Sequence, residues 1–268
     1  MVRTLTSLAV LLSVAGGIFA QLPAARPRFD EFEVVSIKPA DPAAPGRFIR
    51  MQSANRFVAK NHTLKTLIAA AYNLNPRAIS GAPALIDSDH YDILAKTPGE
   101  LRPTLDEQMA MLRRLLADRF KLTFHREPKE LSIYALTVAK NGPRLKASTV
   151  SPDASPEGPP PLIFVVSPQL IRLPGRSATM AELASVMQRA ALDHPVVDRT
   201  GLSGRYDFDL EFAPDETQFG GAFSRSIDDP TRLDLSAAMQ QQLGLKLEAT
   251  KGLVDVLVVD HAGRPTEN

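Results

Sequence analysis

Three Asp-His pairs stand out among the residues that could do chemistry: Asp89-His90, Asp193-His194 and Asp260-His261. A carboxylate beside an imidazole can orient the ring or share a metal ion with it. Neighbours along a strand point to opposite faces, so adjacency in sequence is a poor guide to contact in space. No HExxH or other helical pair of histidines accompanies these dipeptides. Loop residues without a shared task are the expected reading, with no metal site, no catalytic set and no cofactor. The chain has no cysteine, which excludes thiol catalysis, thiolate metal sites and disulfides.

The densest polar segment runs from Asp198-Arg199-Thr200-Gly201 to Arg205-Tyr206-Asp207. Arg199 and Arg205 could hold a carboxylate or phosphate. The preferred reading is structural: Asp198 and Asp207 pair with those arginines across a hairpin. Ser203 lies in Gly-Leu-Ser-Gly, which lacks the GxSxG spacing and the strand–turn–helix setting of a nucleophile elbow. The same stretch is not a GxxG nucleic-acid loop, because that loop joins two helices. Gly201 and Gly204 are expected to supply backbone angles that other residues resist. Candidate binding residues are therefore Asp89, His90, Asp198, Arg199, Gly201, Gly204, Arg205 and Asp207. His125-Arg126-Glu127 reads as a solvated turn before Pro128, and the acidic alternation Asp207, Asp209, Glu211 reads as a solvated strand face rather than a Ca²⁺ site.

The elements that carry these residues follow one order twice. Phe48–Met51 and Phe57–Ala59 lead into an amphipathic stretch at 63–74, as Leu162–Val166 and Leu170–Leu173 lead into 179–191. Tyr91-Asp92 and Tyr206-Asp207 each open a strand, and a second amphipathic stretch follows (105–120 and 235–243). A short strand with a central lysine (Lys121, Lys246) and a final apolar strand (131–138, 253–259) complete each half. Leu64, Leu67, Ile68, Ala71 and Tyr72 form one helical face, and Leu105, Met109, Leu112 and Leu116 another. Thr104 with Glu107 and Thr179 with Glu182 have capping-box spacing, Asp234 can cap the last helix, and Gly244 can end it.

The pattern predicts an α+β protein of two tandem repeats. Each would be a ferredoxin-like, split-βαβ unit with extra edge strands, its antiparallel-rich sheet covered by helices. The expected division is a signal peptide at 1–20, a lead with one strand at 21–46, repeats at 47–146 and 162–268, and a Pro-rich linker at 147–161. A second loop, 214–231, has no counterpart in the first half. Whether the two sheets stay apart or join edge to edge is open at this level.

Arg3, the apolar run Leu8–Val14 and Ala20 fit a secretory signal whose core is too short to span a bilayer. Its removal takes one of 31 basic residues and none of 30 acidic ones, leaving a balanced chain. A balanced chain without a Lys/Arg cluster is a poor nucleic-acid binder. No later segment reaches membrane-spanning length. Periplasmic or secreted localisation is expected, with no stable membrane insertion after signal removal, and with a small molecule or an envelope protein as partner.

Six segments carry a family resemblance: FEVVSIKPA, TLKTLIAAAYNL, ISGAPALIDSDHYDILAK, MLRRLLADRFKLTFHREPKELSIYALTVAKNGPRLK, PVVDRTGLSGRYDFDLEF and QQLGLKLEATKGLVDVLVVDHAGRPTEN. In that order they resemble the Solibacter-type exported family of unknown function, abundant in soil Acidobacteria. The tryptophan usual in the segment aligned with Pro83–Ile86 is absent, where the chain reads PALID. The resemblance implies no known activity. A similar domain lies at the exported end of some membrane-bound antirepressor-type metallopeptidases, which implies extracytoplasmic sensing or binding. The leading expectation is such a binding or sensing module. One alternative is a cell-wall or polysaccharide hydrolase in which Asp89, Asp92, Asp198 and Asp207 converge. The other is an interaction module that docks through a sheet edge.

Overall fold

Two reciprocal caps fix where the best-defined helices begin. In the computed structural model, the Thr104 hydroxyl accepts the Glu107 amide while the Glu107 carboxylate accepts the Thr104 amide, and Thr179 with Glu182 repeats the arrangement. Each cap satisfies donors that a helix start leaves without a partner. The structure describes residues 26–44, 46–81, 83–150, 161–167, 169–219 and 232–266. The expected signal peptide, most of the expected linker and the Gly220-Gly221 part of the long loop lie outside the described residues.

In chain order the first half contains β1 (Val34–Pro39), β2 (Phe48–Met51), β3 (Arg56–Thr63), α1 (Leu64–Ala71), β4 (Ile79–Ser80) and α2 (Leu85–Ser88). It continues with β5 (His90–Lys96), α3 (Leu105–Phe120), β6 (Thr123–Val138) and β7 (Lys146–Ala147). Then come β8 (Val165–Val166), β9 (Ile171–Ala178), α4 (Met180–Val186), β10 (Val196–Asp198), β11 (Tyr206–Phe212), α5 (Leu235–Ala238) and β12 (Leu245–His261). A 3₁₀ turn, Pro76–Ala78, precedes β4. The helices α4 and α5 each widen into one π turn, at Met187–Ala191 and Met239–Leu243.

These strands make an α+β fold of three four-stranded sheets. The first outer sheet has the order β1-β5-β3-β2 and the second β7-β11-β9-β8. The third, β10-β6-β12-β4, is built from both halves. Here the structure departs from the expected pair of closed ferredoxin-like units. The short strand β4 pairs with β12 of the other half, and β10 pairs with β6. Strand β7, at the expected boundary between the first repeat and the linker, where no strand was expected, pairs with β11 of the second half. Alternation identifies the buried face of a strand but not its neighbour, so sequence order alone could not reveal this exchange.

The middle of the third sheet is a ribbon. Strands β6 and β12 lie antiparallel from Leu245 opposite Val138 to His261 opposite Thr123. On the β12 side the two expected strands, around Lys246 and at 253–259, merge into one; on the β6 side the expected strand around Lys121 does not form, because Phe120 ends α3, Lys121 is its left-handed cap and β6 starts at Thr123. His125-Arg126-Glu127 is not a turn: it pairs with Val258, Leu257 and Val256 inside the ribbon. Pro128 is accommodated because Tyr134 donates to Pro195 and Leu136 accepts from Arg199, so even-numbered residues of β6 turn toward β10. At position 128 that side has no β10 beside it, and no ladder bond is lost.

Two cores sit at the two ends of the ribbon. One packs α1, α3 and the first outer sheet around Phe57, Leu67, Leu112 and Phe120, and takes in Leu257, Val259 and Ala262 from the second half. The other packs α4, α5 and the second outer sheet around Ile171, Leu183 and Phe212, and takes in Leu136 from the first half. Between them, Asn75 is buried at 2% exposure. It donates to the Gln188 and Leu192 carbonyls at 2.9 and 3.3 Å, and its Oδ1 caps the 3₁₀ turn. Replacing Asn75 with alanine takes this donor from the Gln188 and Leu192 carbonyls and leaves a gap where a buried side chain stood, and urea titration is expected to show a loss of about 2 kcal/mol. An unchanged midpoint would contradict this role.

Candidate functional site

The recurring Tyr-Asp pairs have a structural task at both places where they occur. Asn61 in β3 and Ser177 in β9 have left-handed φ of 54° and 52°. Each amide donates at 2.8 Å to a carboxylate on the neighbouring strand, Asp92 and Asp207 respectively. The register shifts just there, at Ala59/His62 and at Tyr206/Phe208. Each Asp thus clamps a bulge immediately before a helix cap, which aims Thr63 or Thr179 at the first turn. The Ser177 amide, then the Ser148 hydroxyl, hold the Asp207 carboxyl below the ordinary carboxylate range. The sequence flagged the two Asp residues without their partners. Asn61 was detectable in principle, because Asn tolerates left-handed backbone, but Ser177 carries no such signal.

The loop 198–207 does not form the expected Arg–Asp pairs. Asp198 accepts from the Thr200 amide and hydroxyl at 2.9 and 2.8 Å, a local Asx turn. Arg205 donates to the Ser177 carbonyl at 2.7 Å and reaches Glu182 at 3.4 Å. Gly201 has a φ of +68°, as expected of a turn glycine. Gly204 is needed for space instead: the Tyr206 ring folds across it, and a Cβ there would lie 2.8 Å from the hydroxyl. Arg199 is the residue left over. Its exposed guanidinium lies above Gly252 of the ribbon, 2.9 Å from where a Cβ would stand, and among the described residues it enters no ion pair.

Asp89 and His90 stand at the start of β5, on the first outer sheet, apart from the Arg205–Asp207 end of the second. Asp89 accepts from Ser88 at 3.0 Å and from Arg264 at 3.1 Å, and these two donors hold its carboxyl below the ordinary range. His90 Nδ1 meets Asn61 Oδ1 at 2.6 Å, and Asn61 reaches the Ala44 carbonyl at 2.7 Å. The neighbouring Tyr91 is buried against Phe120, ring centroids 5.2 Å apart, whereas Tyr206 is half-buried. Tyr206→Ala is expected to lower stability by about 2 kcal/mol in thermal or urea unfolding, because a half-buried ring forfeits part of its burial. Unchanged melting would refute it.

The remaining Asp-His pairs do not converge either. His194 sits 2.7 Å from its own neighbour Asp193 and edge-on to Tyr134. Asp260 takes His125 across the ribbon at 2.7 Å. The acidic alternation of β11 is matched by arginines of β9: Asp209 by Arg176 at 2.8 Å and Glu211 by Arg172 at 2.7 Å. Among the described residues, no three His, Asp or Glu side chains gather as metal ligands. No helix among them is long and apolar enough to cross a membrane.

Comparison with known proteins bears on the family alone. Neither a curated protein nor a solved structure matches the chain. A family model described as a protein of unknown function, DUF3738, matches residues 65–262, well over half of the length, and the chain belongs to that family.

Proposed function

We propose that the protein is an extracytoplasmic binding module, and that its contact surface is the waist of the molecule, where Arg199 overhangs the middle of the β6–β12 ribbon. Arg199 carries this reading. Asp198, Thr200, Arg205 and Asp207 of the 198–207 loop are occupied in holding the backbone, whereas this guanidinium is exposed and, among the described residues, enters no ion pair, beside a glycine that leaves room above it. A planar guanidinium in that position suits a carboxylate or phosphate group. Export rests on Arg3, Leu8–Val14 and Ala20. Recovery of the chain from the periplasm or medium with an N-terminus near Gln21 would support it, and retention of Met1 on cytoplasmic chain would sink it.

Hydrolysis by paired carboxylates has less support. Asp92 and Asp207 clamp bulges on two different sheets, and Asp198 belongs to the ribbon sheet. Asp89 and Asp207 are shifted toward the ionised form, the wrong direction for a proton donor. The test of the binding reading is a thermal-shift screen of purified chain against peptidoglycan fragments, oligosaccharides, short peptides and organic anions. A ligand of the native state raises the melting point by mass action. A dose-dependent shift that Arg199→Ala abolishes is the expected result. A response indifferent to Arg199→Ala, or none from any class, overturns the assignment of Arg199.

A further inference from the structure

Among the described residues, the two strands of the ribbon each have an open edge, and the edges differ in one residue type. Even-numbered residues of β6 turn toward β10, so its odd-numbered residues bond to β12. With Ile133 opposite Thr250, the even residues of β12 face β6. The main-chain groups of Leu247, Ala249, Lys251, Leu253 and Asp255 therefore point the other way, into the lane that β4 enters only at Leu257. On β6 the equivalent lane is interrupted by Pro128, which has no N–H to offer. On β12 every donor is intact. Lys251, Leu253 and Asp255 are exposed, Leu253 at 72%. Long unpaired edges are normally blunted because they recruit other strands. This chain blunts one and leaves its twin open.

We propose that the open edge of β12 takes up an extended peptide by strand addition, with an acidic residue opposite Lys251 and an apolar residue opposite Leu253. This deepens the reading of the waist as a binding surface and rests on it. The length of the lane selects the occupant. It ends where β4 meets Leu257, so a second copy's β12, which runs from Leu245 to His261, would collide with β4. An extended segment of up to about nine residues, lying alongside Leu247 to Asp255, fits the gap. The charges select the sequence. Asp255 is already paired with Arg126 at 2.8 Å, while Lys251 enters no ion pair among the described residues, so the charge to be matched is positive. Main-chain bonds supply affinity and the alternating side chains supply specificity.

The test uses purified chain and a displayed library of random peptides roughly seven residues long, followed by fluorescence-polarisation titration of the enriched sequences. Enrichment of peptides with an acid two places from an apolar residue is expected. Leu253→Pro copies what Pro128 does on the twin strand: it removes one outward donor and no bond of the ribbon. It is expected to weaken binding by roughly tenfold or more while the melting point holds. Lys251→Glu, at an exposed position, is expected to switch the preference from acidic to basic peptides, and it serves if Leu253→Pro fails to fold. The proposal is overturned if no peptide is enriched, if enriched peptides bind Leu253→Pro as well as the parent, or if sedimentation shows a dimer that Leu253→Pro dissolves. A small anion that shifts melting through Arg199, with no peptide response, would sink the edge and spare the broader reading.

Discussion

Gly244→Val should cost about 4 kcal/mol, enough to remove a large part of the stability of a domain this size. Gly244 ends the last helix in the left-handed region, φ 65°. A β-branched residue there costs roughly 1–2 kcal/mol in backbone strain alone. The remainder comes from overlap. A Cβ would collide with the Gly142 carbonyl oxygen and stand 2.9 Å from the Arg144 nitrogen and 3.0 Å from the Pro143 Cα. All three are backbone atoms of the turn after β6, and that turn is tied down by the Arg144 amide donating to Leu243 at 2.7 Å. Overpacking against atoms that cannot swing aside adds roughly 1–3 kcal/mol. Lys121, at the end of α3, is the internal comparison: it too is left-handed, φ 54°, but it is not a glycine. Lys121→Gly is expected to change stability by less than about 1 kcal/mol, because relief of strain offsets the extra freedom of the unfolded chain. Urea titration of both variants checks the contrast, and equal losses would show that the crowding at Gly244 is relieved by movement.

Acidification should destabilise the protein through His62. This side chain is buried at 8% exposure between β3 and α1, with Nδ1 3.1 Å from the Thr66 hydroxyl. Burial, with the Arg47 charge adding to it, pushes its pKa down to about 4. The unfolded chain takes up the proton near 6.5, the folded chain only near 4, so between those values the unfolded state binds more protons. Stability is therefore fully present above pH 6.5 and falls as pH drops through the window. The whole shift corresponds to about 3 kcal/mol, reached below pH 4, of which about 2 kcal/mol is lost by pH 5. Urea unfolding at pH 7.5 and 5.0 measures it. His62→Gln, which cannot titrate, should lose about 2 kcal/mol less than the parent over that interval. An identical acid loss in both proteins would place the proton elsewhere.

Both residues illustrate what could be read in advance. Gly244 was legible as a helix stop, and the caps at Thr104, Thr179 and Asp234 were legible as helix starts, because a cap involves partners within three or four residues. The helix at 105–120 has the expected bounds for the same reason. His62 carried no signal, since its pKa depends on burial and on groups brought from other parts of the chain, Arg47 and Phe48 first, then His90 and Asp92 of β5. Among the candidate residues, Asp198 turns to Thr200 rather than to an arginine, whereas Gly201 does what its immediate neighbours suggested. Arg205 and Asp207 do not, because their partners Ser177 and Glu182 come from elements some thirty residues earlier. Asn75 was invisible altogether, since its value lies in carbonyls of the opposite lobe.

By itself, then, the sequence determined the α+β class, the helix boundaries, the buried face of most strands and the absence of thiol chemistry. Those are properties of local periodicity, of capping within one turn, and of composition. Only the tertiary structure decided that each half lends a short strand to the other and that β6 and β12 fuse into one ribbon. It alone set Arg199 above Gly252, with no ion pair among the described residues. The physical reason is that strand pairing is non-local. Alternation states which side of a strand is apolar, but every exposed edge offers the same main-chain donors and acceptors. The choice among edges is made by the packing of two whole cores, which no window of sequence contains.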